Sequence, residues 1–370
     1  MLYQPPLPPQ YQGLSIEALK LRVAERKRQL GSRLVILGHH YQEDDVIAFA
    51  DFTGDSLKLS QLAAEQATCE FVVFCGVHFM AESADILTED NVKVILPDLS
   101  AGCSMADMAT LEQLEEAWEI VTGVTAARVI PITYVNSSAD IKSFCGLHGG
   151  ACCTSSNAAR VLSWALDQGE KIMFLPDQHL GRNTAYAMGF PLDSMAVVDP
   201  NKPRLGLRDD GIRDARFFLW KGHCSVHTLF SPEQCDEIRR IDPEFRIIVH
   251  PECDWAVVQK ADLSGSTEAI IRTVRQSPEG SKWAVGTEIH LVSRLAQEQA
   301  GKRVVRSLAG IQCLCTTMYR IDLPHLLYAL DELAAGRVVN QVRVDDHTRR
   351  WSRVALQRML SLPALRAAGS

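Results

Sequence analysis

The chain contains no uninterrupted apolar run approaching about 18 residues, so no transmembrane helix is expected. Its opening stretch, MLYQPPLPPQYQG, lacks a charged segment followed by an apolar one, and no signal peptide is expected there. The prolines in it suit a polyproline-like arm, either loose or strapped across the body. No stripe of lysine and arginine is present; acidic and basic residues are interspersed at a formal net charge of −7. That excludes the electrostatic footprint of a nucleic-acid binder, and no helix-turn-helix is visible. Paired CxxC half-sites and a ferredoxin cysteine run are both missing, which removes the common zinc and ferredoxin spacings. A cytoplasmic protein with neither membrane nor nucleic-acid partners is the expectation.

What is present is a chain of 370 residues, 46% apolar and 22% charged, which suits a globular protein of two or three domains. Its overall field repels anions, so an anionic ligand would need local devices such as hydroxyl-bearing helix N-termini. Eleven cysteines is a high and odd count. In a reducing compartment it leaves buried thiols, a metal or cluster site, or a catalytic thiol.

One layout occurs three times. Leu34–Leu37 ends in Gly38-His39-His40-Tyr41, and Gly54-Asp55-Ser56 then opens a helix. Arg128–Thr133 ends in Tyr134-Val135-Asn136, and Cys153-Thr154-Ser155 leads into another. Arg246–Val249 ends in His250-Pro251-Glu252-Cys253, and Gly265-Ser266-Thr267 opens a third. Such self-similarity reads as three α/β units around one shared site.

The intervening pattern alternates strand and helix, the mark of parallel sheets with helices on both faces. Ser15 caps a helix to about Leu30, and Glu43–Phe52 looks helical. Strands are expected at Phe71–Phe74, Val92–Leu96, Ile172–Leu175, Arg216–Trp220, Trp283–Val285 and Arg303–Leu308. Helices at Met80–Leu87, Leu111–Val121, Leu323–Leu333 and about His347–Leu362 complete the pattern. The expected divisions are 1–110 (arm and first α/β domain), 111–230 (second), 231–320 (third) and 321–370, a helical tail packing on the body.

Each unit finishes with a strand, a short loop and a cysteine: Cys103, Cys224, Cys315. Ligands of parallel sheets bind beyond the strands' carboxyl ends, so three such edges could bring one thiol from each unit together. Three thiolates can hold a [4Fe–4S] cluster and leave one iron open as a Lewis acid. Spacing alone leaves three buried loop thiols equally open. Ser56, Ser155 and Ser266-Thr267 can cap helices or offer hydroxyls to an anion. His39, His40 and Tyr41 supply donors and a proton shuttle, and Glu252 is the acidic group best placed as acid or base. Cys145-x2-His148-x3-Cys152-Cys153 has a zinc-like spacing but lacks a second half. Cys69, Cys75, Cys235 and Cys253 read as packed thiols.

Taken together, GHHYQ, GDSLKLS, FCGVHFMAESADIL, LPDLSAGCSMADM, YVNSSADIKS, CTSSNA, LPDQHLGRN, WKGHCSVH, VHPEC, GSTEAI, GTEIHLVSRL and CTTM resemble the quinolinate synthase family, from about Leu34 to the C-terminal helices. The resemblance implies three homologous three-layer αβα domains with parallel sheets around a pseudo-threefold axis. It implies a central [4Fe–4S] cluster and condensation of iminoaspartate with dihydroxyacetone phosphate, releasing phosphate and water, to give quinolinate for NAD biosynthesis. A functional link to L-aspartate oxidase, as the source of iminoaspartate, follows. The cluster cysteines fall on Cys103, Cys224 and Cys315, the last chosen over Cys313 by its place three residues before Met318. By the same resemblance His39, Ser56, Tyr134, Asn136, Ser155, His227, His250, Ser266 and Thr267 bind substrate. Tyr41, Glu252 and His227 are the catalytic groups. His40 stands where many members carry asparagine, and Phe144–Cys153 is longer than in compact members. The runner-up readings are another three-cysteine iron–sulfur enzyme of the reductive dehydration type, and an iron–sulfur redox sensor.

Overall fold

A computed structural model describes residues 3–66, 68–309 and 313–363. Residues 1–2 of the expected arm and 364–370 of the expected tail lie outside them. Two compact units emerge: Met1–Cys103 with Glu288–Ala300 and Ile311–Asp345, and Ser104–Thr287 with Gly301–Gly310 and Asp346–Ser370.

The first unit holds a sheet built on β1 (Leu34–His39), β2 (Phe52–Gly54), β3 (Phe71–Cys75) and β4 (Lys93–Ile95), in the order β2-β1-β3-β4. The second unit holds two sheets. One comprises β5 (Val129–Tyr134), β6 (Ala151–Cys153), β7 (Lys171–Leu175), β8 (Met195–Val198) and β9 (Phe217–Trp220), in the order β6-β5-β7-β9-β8. The other comprises β10 (Phe245–Val249), β11 (Leu263–Ser264), β12 (Lys282–Gly286) and β13 (Val304–Ser307), in the order β11-β10-β12-β13. A last strand, β14 (Gln341–Val342), adds to β4 in the first unit and is the one antiparallel pairing among the described residues. β3, β5, β7 and β9 are buried along their whole length. Continuous apolar runs of this kind belong to parallel strands covered on both faces. The fold is α/β with parallel sheets between helices, as expected.

The same pairing recurs in the register of the three sheets. His39 pairs with Gly54, Tyr134 with Cys153 and Val249 with Ser264, each at the end of its edge strand. Ser56, Ser155 and Ser266 each stand two residues beyond that edge strand.

Strands β2, β6 and β11 were not expected, nor were β8 and β14, and the cause of the first three is local. The helix expected over Glu43–Phe52 is confined to Asp44–Ile47, after which the chain re-enters the sheet as β2. Asp51 compels this: its N–H donates to Ile36 O (2.8 Å) and its carboxylate accepts from Ile36 N (2.8 Å). Asp262 treats Ile247 identically, at 2.9 and 2.6 Å. In the second copy the facing residue is Pro131, which has no N–H to donate. Gly150 replaces the aspartate there, and a Cβ on it would collide with the Pro131 carbonyl.

Ser15 caps helix Ile16–Leu30 through Ala18 N (3.2 Å), as read from sequence. The proline-rich arm is strapped down within its unit. Gln4 Oε1 accepts from Leu99 N (2.9 Å), and buried Tyr11 donates to Asp331 (2.9 Å). The closing helices pack in different units: Leu323–Ala334 on Ile16–Leu30, and Asp346–Ser361 on Ala139–Leu147. Gly146 admits the second contact, because a Cβ there would strike the backbone of Trp351.

Candidate active site

Within the second unit, residues at or beyond the ends of β5, β6, β9, β10 and β12 form one largely buried polar network. His227, His250 and Glu252 are each 2% exposed or less. His227 Nδ1 lies 2.7 Å from Glu252 Oε2, and its Nε2 lies 3.2 Å from Thr287 Oγ1. The His227 and His250 rings stack at 4.4 Å, and His250 Nε2 reaches Ser155 Oγ at 3.2 Å. Tyr134 adds a side-chain hydrogen bond to Glu252.

Charge states follow from these contacts. Burial by itself raises the Glu252 carboxyl, but His250, His227 and the hydrogen bonds from His227 and Tyr134 outweigh it and hold it low. Glu252 is therefore an ionised acceptor, so His227 Nδ1 carries the proton between them. Burial, and then His227, pushes His250 down to about 3, so its ring is neutral at physiological pH. The Glu252 backbone N–H donates to His250 Nδ1 (3.4 Å). The His250 proton therefore sits on Nε2 and points to Ser155, leaving the serine's own proton for a ligand. Asn136 Oδ1 is buried without a hydrogen-bond partner, the state of an acceptor awaiting a ligand donor.

The first unit repeats one detail. Tyr41 N donates to His39 Nδ1 (3.2 Å), the same two-residue turn that joins Glu252 to His250. His39 is buried, and the half-buried Tyr41 ring meets it edge-on at 4.7 Å. Ser56 does not cap its helix: Asp55 does, through Lys58 N (3.0 Å). Nor does Ser155, since Asn157 occupies the N-cap position. Of the three hydroxyls only Ser266 caps, through Ala269 N (3.3 Å), with buried Thr267 beside it. Thr287, which meets His227, was missed. Its signal was the strand-end position in GTE, where only the fold reveals a partner.

The eleven cysteines divide by exposure. Cys103, Cys224 and Cys315 are half-exposed, and the other eight are buried. Each of the three lies three residues ahead of a 3-10 turn, at Ala106–Met108, His227–Leu229 and Met318–Arg320. The turn brings Cys224, His227 and Glu252 into a group whose ligand atoms lie within 4.8 Å of one another. It is the one such group among the described residues. In the first unit, buried Asp98 accepts from Arg320 Nε (3.3 Å), tying the loop of Cys103 to the turn after Cys315. Burial raises the Cys315 thiol, while the Thr317 hydroxyl at 3.5 Å opposes the rise. Cys145, Cys152 and Cys153 are fully buried, and burial raises all three thiols. His148 stacks on Phe144 at 4.1 Å, so that loop uses its residues for packing.

The helix Gln178–Ala187 flanks the network. Asp177, which caps it, has its carboxyl raised well above the usual range by burial and then by Glu252. His179 is pushed down to about 4, first by burial. Its unfolded value is about 6.5, so between about pH 6.5 and 4 the unfolded chain binds a proton that the folded chain refuses. Stability from this group is present above that window and is lost as pH falls through it. The melting temperature should drop with acidification over this range, and less steeply in His179→Gln. Parallel slopes in a calorimetric pH series would contradict the assignment.

Among the described residues no helix is long and apolar enough to cross a membrane. The family model described as Quinolinate synthetase A protein matches residues 21–361. A quinolinate synthase from Anoxybacillus flavithermus is 55% identical over 355 residues, covering 96% of both chains. One from Streptomyces coelicolor is 53% identical over 348 residues, covering 93% of this chain and 88% of its own. One from Rhodopirellula baltica is 50% identical over 369 residues, covering 96% and 94%. With a match over nearly its whole length, the chain belongs to the quinolinate synthase family of enzymes.

Proposed function

We propose that this protein makes quinolinate for NAD biosynthesis by condensing iminoaspartate with dihydroxyacetone phosphate, with loss of phosphate and water. Membership of the family supports the reaction. The observation that supports the cofactor is the selection among eleven cysteines: the three that remain half-exposed each precede a 3-10 turn by three residues. Thiols meant to bind an external group must keep such access, whereas packed thiols lose it. Cys103, Cys224 and Cys315 would hold a [4Fe–4S] cluster. When bound, that cluster supplies an open iron acting as a Lewis acid on substrate oxygen.

The chain's own groups have separable tasks. Ionised Glu252 takes a proton from the condensing substrates, and His227 orients it with Thr287 behind. Ser155, its proton left over by His250, donates to a substrate oxygen. Asn136 Oδ1 accepts from a substrate N–H or hydroxyl. Tyr41 returns a proton, held by its turn with His39. Burial of Glu252, His227 and Thr287 excludes water from them and strengthens their contacts. Ser56, Ser266 and Thr267 would meet the anionic ends of the substrates at helix N-termini. A cytoplasmic home, with L-aspartate oxidase supplying iminoaspartate, completes the proposal.

The test is anaerobic turnover. Protein with its cluster rebuilt, given iminoaspartate formed in place and dihydroxyacetone phosphate, should release quinolinate and phosphate without added reductant. A requirement for reductant would favour the reductive dehydration enzymes. No quinolinate from protein with an intact cluster would remove the reading.

A further inference from the structure

The motif LPDQHLGRN has no part in the reaction outlined above, yet its helix touches the loop carrying Glu252. Asn183 is 6% exposed, and its Nδ2 donates to Pro251 O (2.8 Å) and to Cys253 O (2.8 Å). These are the carbonyls of the residues immediately before and after Glu252. A single amide thereby spends both protons on the two positions that bracket one carboxylate. With both neighbours held, the direction in which the Glu252 side chain leaves the backbone is set. Within the loop itself only Cys253 N to His250 O (3.0 Å) and Glu252 N to His250 Nδ1 (3.4 Å) oppose rotation. One helical turn earlier, His179 meets Asp254 (3.0 Å), so two side chains at i and i+4 grip the same loop. Asn183 Oδ1 is buried without a partner, which shows the amide oriented by its donor end.

We propose that Asn183 is the positioning residue for Glu252, fixing the carboxylate against His227 and Tyr134 in the geometry proton transfer needs. This rests on the reading of Glu252 as the proton-transfer group. Displacing a reacting group by about 1 Å costs on the order of a hundredfold in rate, and loss of an outer supporting partner costs about 10–100-fold.

The test is a double-mutant cycle in cluster-loaded protein, with Asn183→Ala made in the native chain and in Glu252→Gln. In the native background kcat should fall about 10–100-fold, with KM changed less than about twofold and iron per chain unchanged. In the Glu252→Gln background the same change should cost nothing more, because residues acting as a unit are non-additive. Asn183→Ser, which keeps a single donor, carries the same comparison should the alanine variant fail to fold. Equal losses in both backgrounds, or an unchanged kcat in the native one, would overturn the proposal while leaving Glu252 its role. A Glu252→Gln enzyme with undiminished kcat would remove both.

Discussion

Replacing Cys224 with serine should abolish the visible iron–sulfur absorption and the activity together, while replacing Cys313 should largely spare both. Serine is a poor ligand for iron where a thiolate is required, and with three protein ligands the loss of one leaves two. Cys103→Ser and Cys315→Ser should behave as Cys224→Ser does. Cys313 differs from Cys315, which is partly exposed, in the exposure of the whole residue. It is 0% exposed, and burial, with Glu288 nearby, raises its thiol to about 11. Its serine variant exchanges one small buried side chain for another and should alter stability more than cluster content. Iron and sulfide per chain, measured beside the absorption, give the answer independently of turnover. Cluster loss in Cys313→Ser with retention in Cys315→Ser would reverse the assignment.

The second large effect concerns Glu252→Gln, expected to lower kcat about 10²–10⁴-fold with cluster content intact. The amide keeps the carboxylate's shape but removes the proton acceptor, and its NH2 end faces groups that already donate, His227 and Tyr134. The loss of a carboxylate that its neighbours hold ionised should cost some stability, while the near-identical shape of glutamine keeps the site packed and the chain folded. Single-turnover measurements with substrates prebound separate this chemical defect from weaker binding. A change confined to KM would make Glu252 a binding group.

Much of the architecture was legible because it follows local rules. Apolar runs such as Phe71–Phe74 and Ile172–Leu175, alternating with helical segments, read as buried parallel strands, and Ser15 announced its helix. Of the strands missed, β2, β6, β11 and β14 are two or three residues long and β8 is four, too short for any periodicity to register. What creates β2, β11 and β6 lies across the sheet: Asp51 on Ile36, Asp262 on Ile247, and Gly150 against Pro131. Of the two duties open to the three hydroxyls, helix capping falls to Ser266 alone. Asp55 and Asn157 take the N-cap positions that Ser56 and Ser155 seemed to hold, and only Ser266 caps.

From sequence alone came the α/β class, the threefold layout, the family and its motifs, because each rests on residue order and short-range propensity. The tertiary structure decided which cysteine residues stay partly exposed and which groups surround Glu252. It also decided that Thr287 backs His227, and that the amide of Asn183 holds both neighbours of the carboxylate. Those outcomes depend on burial and on contacts between residues such as 183 and 251 or 227 and 287. No local rule reaches across that separation; only packing brings such atoms within hydrogen-bonding distance.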